Sequence, residues 1–112
     1  MRVIEEKIGH VLILRLNEAR LDASRAPALR EALLDQITAG HDRIVLDLSL
    51  TEFMDSSSLG ALVTAIKRIG TRGTFAIAGA QGAVARLFAL TRMDRVFALY
   101  PTTDAAVAQS AG

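Results

Sequence analysis

Three consecutive serines, Ser56, Ser57 and Ser58, follow Asp55 and lead into Leu59-Gly60. The run lies where a loop, Leu50 to Asp55, meets a helix whose apolar positions Leu59, Leu62, Val63, Ile66 and Ile69 recur every three or four residues. Asp55 or Ser56 suits the N-cap, and the following serines occupy a first turn whose backbone N–H groups lack intrahelical partners. Capping accounts for an Asp and a Ser at a helix start, but three hydroxyls exceed what a cap uses. A hydroxyl placed there can also carry phosphate. The dianion would meet a helix end bearing about +0.5 of an elementary charge, a favourable interaction of roughly 0.3 to 1 kcal/mol when exposed. Asp55 opposes it, since two negative charges about 6 Å from a carboxylate in water cost roughly 1 kcal/mol. The two effects nearly cancel, so the fold tolerates the modification. A partner that buried the phosphate unpaired would lose several kcal/mol, at about 1.4 kcal/mol per factor of ten in affinity. Such a site switches binding without switching fold.

Other chemistries find little support. The chain has no Cys, which removes disulfides, thiolate zinc sites and thiol catalysis, and its two His, His10 and His41, are isolated. His10 falls in a tight turn and His41 follows a helix-ending glycine, so neither pairs with a serine in a hydrolytic arrangement. A receiver-type phosphoaspartate site needs clustered carboxylates for Mg²⁺ and a late lysine, yet Asp47 lies in an apolar strand and the lysines are Lys7 and Lys67. The turn Ala78 to Ala83, with Gly79 and Gly82, has room for a phosphate but lacks the full dinucleotide fingerprint and the P-loop lysine. Small residues that let a turn form account for it. Neither enzyme activity, a metal nor a cofactor is expected.

The elements that must position the serines follow from periodicity. Val3 to Ile8 and Val11 to Leu16 read as a hairpin across Gly9-His10, where glycine supplies the positive φ of a type II′ turn. After a polar connection, Asn17 to Asp22, a helix starts near Asp22 or Ser24, tolerates Pro27 in its first turn, buries Ala26, Leu29, Leu33 and Ile37, and ends at Gly40. Arg43 to Leu48 is apolar on both faces except at Asp47, the pattern of a central strand covered on both sides. Beyond the serine-headed helix, Gly70 and Gly73 bracket a turn before a strand at Thr74 to Ala78. A helix around Val84, Leu87 and Phe88 follows, then a strand from Arg95 to Tyr100. Pro101 stops that strand, and Thr102, Thr103 or Asp104 caps a last helix before the tail frays. Strands alternating with helices at this spacing predict an α/β fold, a mixed and mostly parallel sheet with an N-terminal antiparallel hairpin strand and about four helices.

With 112 residues, 51% of them hydrophobic, the whole chain 1–112 is expected to form one domain around one core. Thirteen basic and twelve acidic residues give +1, and five aromatics without Trp offer little for bases to stack on, so direct nucleic-acid binding is not expected. No apolar run reaches the 18 or so residues of a membrane span, and Glu5 and Glu6 stand where a signal peptide would carry other chemistry. These features predict a cytoplasmic protein with no membrane insertion. Charge is uneven, with 7 basic and 10 acidic groups in residues 1–59 against 6 basic and 1 acidic in residues 60–100. Solvated helix faces accommodate that asymmetry without a partner.

Four stretches together resemble the STAS domain family, and within it the bacterial anti-sigma-factor antagonists. They are Arg20-Leu21-Asp22-Ala23, Leu29-Arg30-Glu31-Ala32-Leu33, the strand Val45-Leu46-Asp47-Leu48, and above all Phe53-Met54-Asp55-Ser56-Ser57 running into Leu59-Gly60. The resemblance implies a STAS-like single domain in which Ser57 is phosphorylated by a partner anti-sigma factor that is itself an ATP-using serine kinase. It also implies that Asp55 is the motif aspartate and that Asp22 lies near the phosphoacceptor and contributes to the kinase interface. Ser56 and Ser58 complete the expected partner-binding set. The unphosphorylated form would bind the anti-sigma factor and free a sigma factor, thereby regulating transcription, and a serine phosphatase would reset the cycle. Two residues depart from the family pattern: Ser58 stands where Gly is common, and Ala19 where Gly usually precedes the Arg. Ser58 adds a third candidate hydroxyl, and Ala19 matters only if that position needs a positive φ. The alternative within the same resemblance is a standalone STAS subunit of a transport assembly, such as a lipid ABC-type system, or of a signalling assembly, in which the serines only cap a helix.

Overall fold

A computed structural model describes residues 1–110. The hairpin forms as its pattern predicts: β1 (Val3–Ile8) pairs antiparallel with β2 (Val11–Leu16), Ile8 opposite Val11, so the turn is two residues long. Gly9 has φ +60°, and the one non-glycine residue with positive φ among the described residues is Arg92, which leaves His10 at negative φ. That combination belongs to a type II′ turn, in which only the first central residue is left-handed. β2 then pairs parallel with β4 (Arg43–Asp47), β4 with β6 (Thr74–Ala78), and β6 with β7 (Ala98–Tyr100). The sheet order β1-β2-β4-β6-β7 puts β4 at the centre. Among the described residues four helices connect or cover these strands: α1 (Ala26–Thr38), α2 (Ser56–Ile69), α3 (Gly82–Leu90) and α4 (Thr103–Ser110).

Both faces of the inner strands β2, β4 and β6 are covered, which is why these carry apolar residues at successive positions. On one face Leu12, Leu14, Ile44, Leu46 and Ile77 pack with Leu29 and Leu33 of α1, Leu62 of α2 and Phe88 of α3. On the other, Val11, Ile13, Val45, Ala76 and Ala78 meet Ala106 of α4. The small residues on β6 let the eight-residue α4 lie close to the strand. Gly73 is required by another close approach: a Cβ there would stand 1.8 Å from the Asp42 carbonyl oxygen, which accepts the Thr74 N–H at 2.8 Å.

Several sequence-based boundaries need correction. The strand expected over Arg95 to Tyr100 begins at Ala98, because Met93–Arg95 forms a 3-10 turn and Phe97 turns inward, its ring 5.8 Å from Phe88 and 6.0 Å from Phe75. Neither Asp22 nor Ser24 caps α1: the N-cap position is Arg25, without a side-chain cap. Asp22 is engaged with Ser24 instead, its Oδ1 accepting from the Ser24 N–H at 3.1 Å and the Ser24 hydroxyl at 2.6 Å. Thr102 caps the last helix by accepting from the Ala105 N–H at 3.1 Å. The fraying expected at the chain's end falls on residues 111–112, outside the described residues.

The "polar" connection after β2 and the loop after β4 also hold structure that periodicity missed. β3 (Arg20–Leu21) and β5 (Phe53–Met54) pair parallel as a separate two-stranded ribbon.

Asp47, the lone charge in β4, is buried and faces Arg15, its register partner on β2, with Nε 2.7 Å from Oδ2. Its other oxygen accepts the Ser49 N–H at 2.9 Å. Burial pushes the Asp47 carboxyl upward, but the hydrogen bonds from Arg15 and Ser49 win and hold it below its ordinary value. A depressed carboxylate contributes stability that is full above its unfolded pKa, about 3.9, and is lost as pH falls through the folded value. Asp47→Asn is therefore expected to lower stability at pH 7 by about 1 to 2 kcal/mol, moderated by solvent at the Arg15 end. It should also reduce the loss of stability on acidification below about pH 4. Denaturant titrations at pH 7 and pH 3 check both, and identical pH dependence of the two proteins would rule the pair out as a source of acid sensitivity.

Candidate functional site

The serine run opens α2 as its pattern predicts. Asp55 has an extended backbone, and its Oδ1 accepts the Ser58 N–H at 3.1 Å, so it is the N-cap and Ser56 is the first helical residue. Successive helical residues are rotated by about 100°, so three adjacent serines cannot share one environment. Ser56 and Ser57 are exposed, whereas Ser58 is fully buried.

Ser58 requires a correction. Expected as a third candidate hydroxyl facing a partner, it donates instead to the Leu21 carbonyl at 2.7 Å, with the Asp22 carbonyl at 3.3 Å. With 0% exposure it anchors the end of β3 to the start of α2 and offers nothing to a partner. The other departure from the family pattern is neutral. Ala19 does not have a positive φ, and its carbonyl accepts the Glu52 and Phe53 N–H groups at 2.8 and 3.0 Å.

These bonds belong to a zipper between the two loops. The Thr51 hydroxyl donates to the Glu18 carbonyl at 2.9 Å, the Asp55 N–H to the Leu21 carbonyl at 3.1 Å, and Leu21 and Met54 are buried beneath. Asp22 and Asp55 thus leave adjacent, parallel strands at equivalent points, which brings two carboxylates 33 residues apart in sequence to the same end of the ribbon as Ser56 and Ser57. Hydrogen bonding from the Ser24 hydroxyl and N–H, with Arg20 and Arg25 nearby, holds the Asp22 carboxyl below its usual range against partial burial. The Arg20 guanidinium lies 4.3 Å from the centre of the Phe53 ring, its partner across the ribbon, and so caps the exposed side of the pair.

Glu18, in the stretch read as a polar connection, is 4% exposed. It accepts from the Arg2 N–H at 3.1 Å and from Arg25 at 2.6 Å. The Arg2 hydrogen bond and the two guanidinium charges keep its carboxyl low despite burial. Glu18 ties the N-terminus, the ribbon and the start of α1 together. Nothing in its local sequence marks it, because both partners arrive from elsewhere in the chain.

A groove of about 410 Å³ runs between α1 and α2 beside the serines. Ser57, Gly60 and Thr64 line it from α2, and Ala26, Pro27 and Arg30 from α1. Ser57 reaches this groove and Ser56 does not. Arg30 stands out in the sequence only within the stretch Leu29 to Leu33, and its place here depends on the packing of α1 against α2. Among the described residues no three His, Cys, Asp or Glu side chains gather to hold a metal, and no helix is long and apolar enough to cross a membrane. The Gly79 to Gly82 turn has a structural explanation: both glycines have positive φ, and a Cβ at Gly79 would lie 2.8 Å from the Ser49 side chain.

A STAS domain model matches residues 2–106, nearly the whole chain. The chain belongs to the STAS domain family. A Thermotoga maritima relative, provisionally named an anti-sigma factor antagonist, is 32% identical over 102 residues, covering 89% of each chain. The crystal structure of an anti-sigma factor antagonist from Mycobacterium paratuberculosis superimposes with a TM-score of 0.91 at 28% identity, over 99% of this chain and 94% of that one. SpoIIAA in its unphosphorylated form, an anti-sigma factor antagonist 18% identical over 96% of this chain and 95% of its own, shares the fold with a TM-score of 0.80. The mixed sheet with its antiparallel first pair and four helices is thus the architecture of this STAS domain.

The two roles of neighbouring serines separate in a stability measurement. Ser58→Ala removes one of the two donors to the buried Leu21 carbonyl, which keeps the Asp55 N–H, and should cost about 0.5 to 1.5 kcal/mol. Ser57→Ala, at an exposed position, should change stability by no more than about 0.5 kcal/mol. Equal denaturation midpoints for the two variants would remove Ser58 from its anchoring role.

Proposed function

We propose that this STAS domain is a phosphorylation-switched binding module of the anti-sigma-factor-antagonist type, with Ser57 as phosphoacceptor and Asp22, Asp55 and Ser56 around it. Unphosphorylated, it binds an anti-sigma factor serine kinase and so frees a sigma factor for transcription. Phosphorylated, it releases that partner until a serine phosphatase restores the hydroxyl. The protein acts in the cytoplasm as a docking partner and substrate, not as an enzyme. The observation that carries this reading is the exposed Ser57 hydroxyl on the first turn of α2, facing an open groove and backed by the anchored Ser58. The names of its relatives, anti-sigma factor antagonists, support an anti-sigma factor as the partner.

In the transfer step, the Ser57 Oγ bonds to the terminal phosphorus of ATP held by the kinase, the bond to ADP breaks, and the hydroxyl proton passes to a base on the kinase. This chain supplies only the acceptor and its surroundings. Asp55 Oδ1 accepts the Ser58 N–H, and Asp22 Oδ1 the Ser24 N–H and hydroxyl, which fixes both carboxylates at the end of the ribbon where the acceptor lies. Once formed, the dianion changes the surface at the groove while the anchoring bonds beneath it stay in place.

With the cognate kinase and ATP, phosphopeptide mass spectrometry is expected to place the phosphate at Ser57. Modification confined to Ser56 would reassign the acceptor. Ser57→Asp is expected to weaken kinase binding by roughly tenfold or more, about 1.4 kcal/mol, while the melting temperature stays that of the wild type. Equal affinities by calorimetry would count against the switch.

A further inference from the structure

Building on the Ser57 switch proposed above, we infer that Arg30 receives the phosphate of modified Ser57, so that the modified protein closes its own α1–α2 groove with an internal guanidinium–phosphate pair. Ser57 lines that groove from α2 and Arg30 from α1, and Arg30 is the one charged side chain among its lining residues. The rest are Ala, Pro, Gly and Thr, which leave about 410 Å³ between the helices and put no bulk between the two groups.

Arg30 is also unclaimed. The other cations of this end of the molecule are engaged, Arg25 with Glu18 at 2.6 Å and Arg20 over the Phe53 ring at 4.3 Å. The acidic side chains of the site are held as well, Asp55 by the Ser58 N–H and Asp22 by Ser24. Among the described residues the ion pairs are those of Arg2, Arg15 and Arg25, so Arg30 has no carboxylate to give up. The helix end and Asp55 act on the phosphate with nearly equal and opposite effect, so they give it no preferred direction. A planar guanidinium that binds two phosphate oxygens at once supplies that direction. Modification then both adds charge and covers the surface that the unmodified protein offers.

The test uses the protein with phosphoserine installed at position 57 during synthesis, so it does not depend on the kinase. Phosphorus NMR follows the second phosphate ionisation in the wild type, Arg30→Ala, Arg30→Lys and Arg72→Ala, the last removing a cation about 20 Å away at the other end of α2. The wild-type midpoint should lie below the ordinary value of about 6. It should rise by about half a unit in Arg30→Ala, recover in part in Arg30→Lys, and not move in Arg72→Ala. The exposed position of Arg30 predicts unchanged melting temperatures for its variants, which confirms that they are folded. A midpoint that is the same in the wild type and Arg30→Ala overturns the assignment of Arg30. The switch is read separately, from the kinase affinity of phosphorylated against unmodified wild type. Weaker binding with an unmoved midpoint overturns only the Arg30 pairing, and undiminished binding overturns the switch on which it rests.

Discussion

The site depends on the pairing of two short segments, Glu18 to Leu21 and Thr51 to Asp55, that belong to no strand of the main sheet. Two residues on each side suffice for a parallel ribbon, because a buried Leu21 and Met54 and a series of hydrogen bonds to the Glu18, Ala19 and Leu21 carbonyls hold it. The Glu18 and Leu21 carbonyls lie in buried hydrogen bonds, and their donors come from the other loop. The consequence is positional. The start of α2 and the residues that precede α1 are fixed against each other, so the Asp22 and Asp55 regions form one surface although they are distant in the chain.

Helical rotation then divides the serines. Ser58 is turned into the zipper and becomes part of its hydrogen bonding, while Ser57, one residue earlier, stays in solvent beside the groove. An exposed hydroxyl on a rigid base suits a chemical switch, since new charge acts on whatever docks and finds little to disturb below. The N-cap strengthens that base by spending the Asp55 carboxylate on the backbone of Ser58.

Charge is partitioned in the same way between structure and surface. Buried carboxylates at Asp47 and Glu18 each hold a guanidinium and a backbone N–H, which offsets the cost of removing them from water. They staple β2 to β4 and the N-terminus to the start of α1. Arg20 is likewise spent on the Phe53 face. Arg30 remains in the groove with its donors free among the described residues.

Much of this was legible in the chain itself. Short-range physics decides the hairpin at Gly9-His10, the two-faced apolar strand with its lone Asp47, the three-four spacing of α2 and the cap at Asp55, and each can be read without knowing what lies across the molecule. The motif around Ser57 carried the family with it. Tertiary structure alone decided that Glu18 is buried, that Phe97 leaves the last strand for the Phe75 and Phe88 rings, and that Asp22 turns to Ser24 and leaves α1 without a side-chain cap. It also decided which serine is buried, because the carbonyl that claims Ser58 belongs to a residue 37 positions away. Periodicity records how a segment alternates between core and water. It carries no record of a partner delivered by another loop, and that delivery separates a buried serine from its exposed neighbour here.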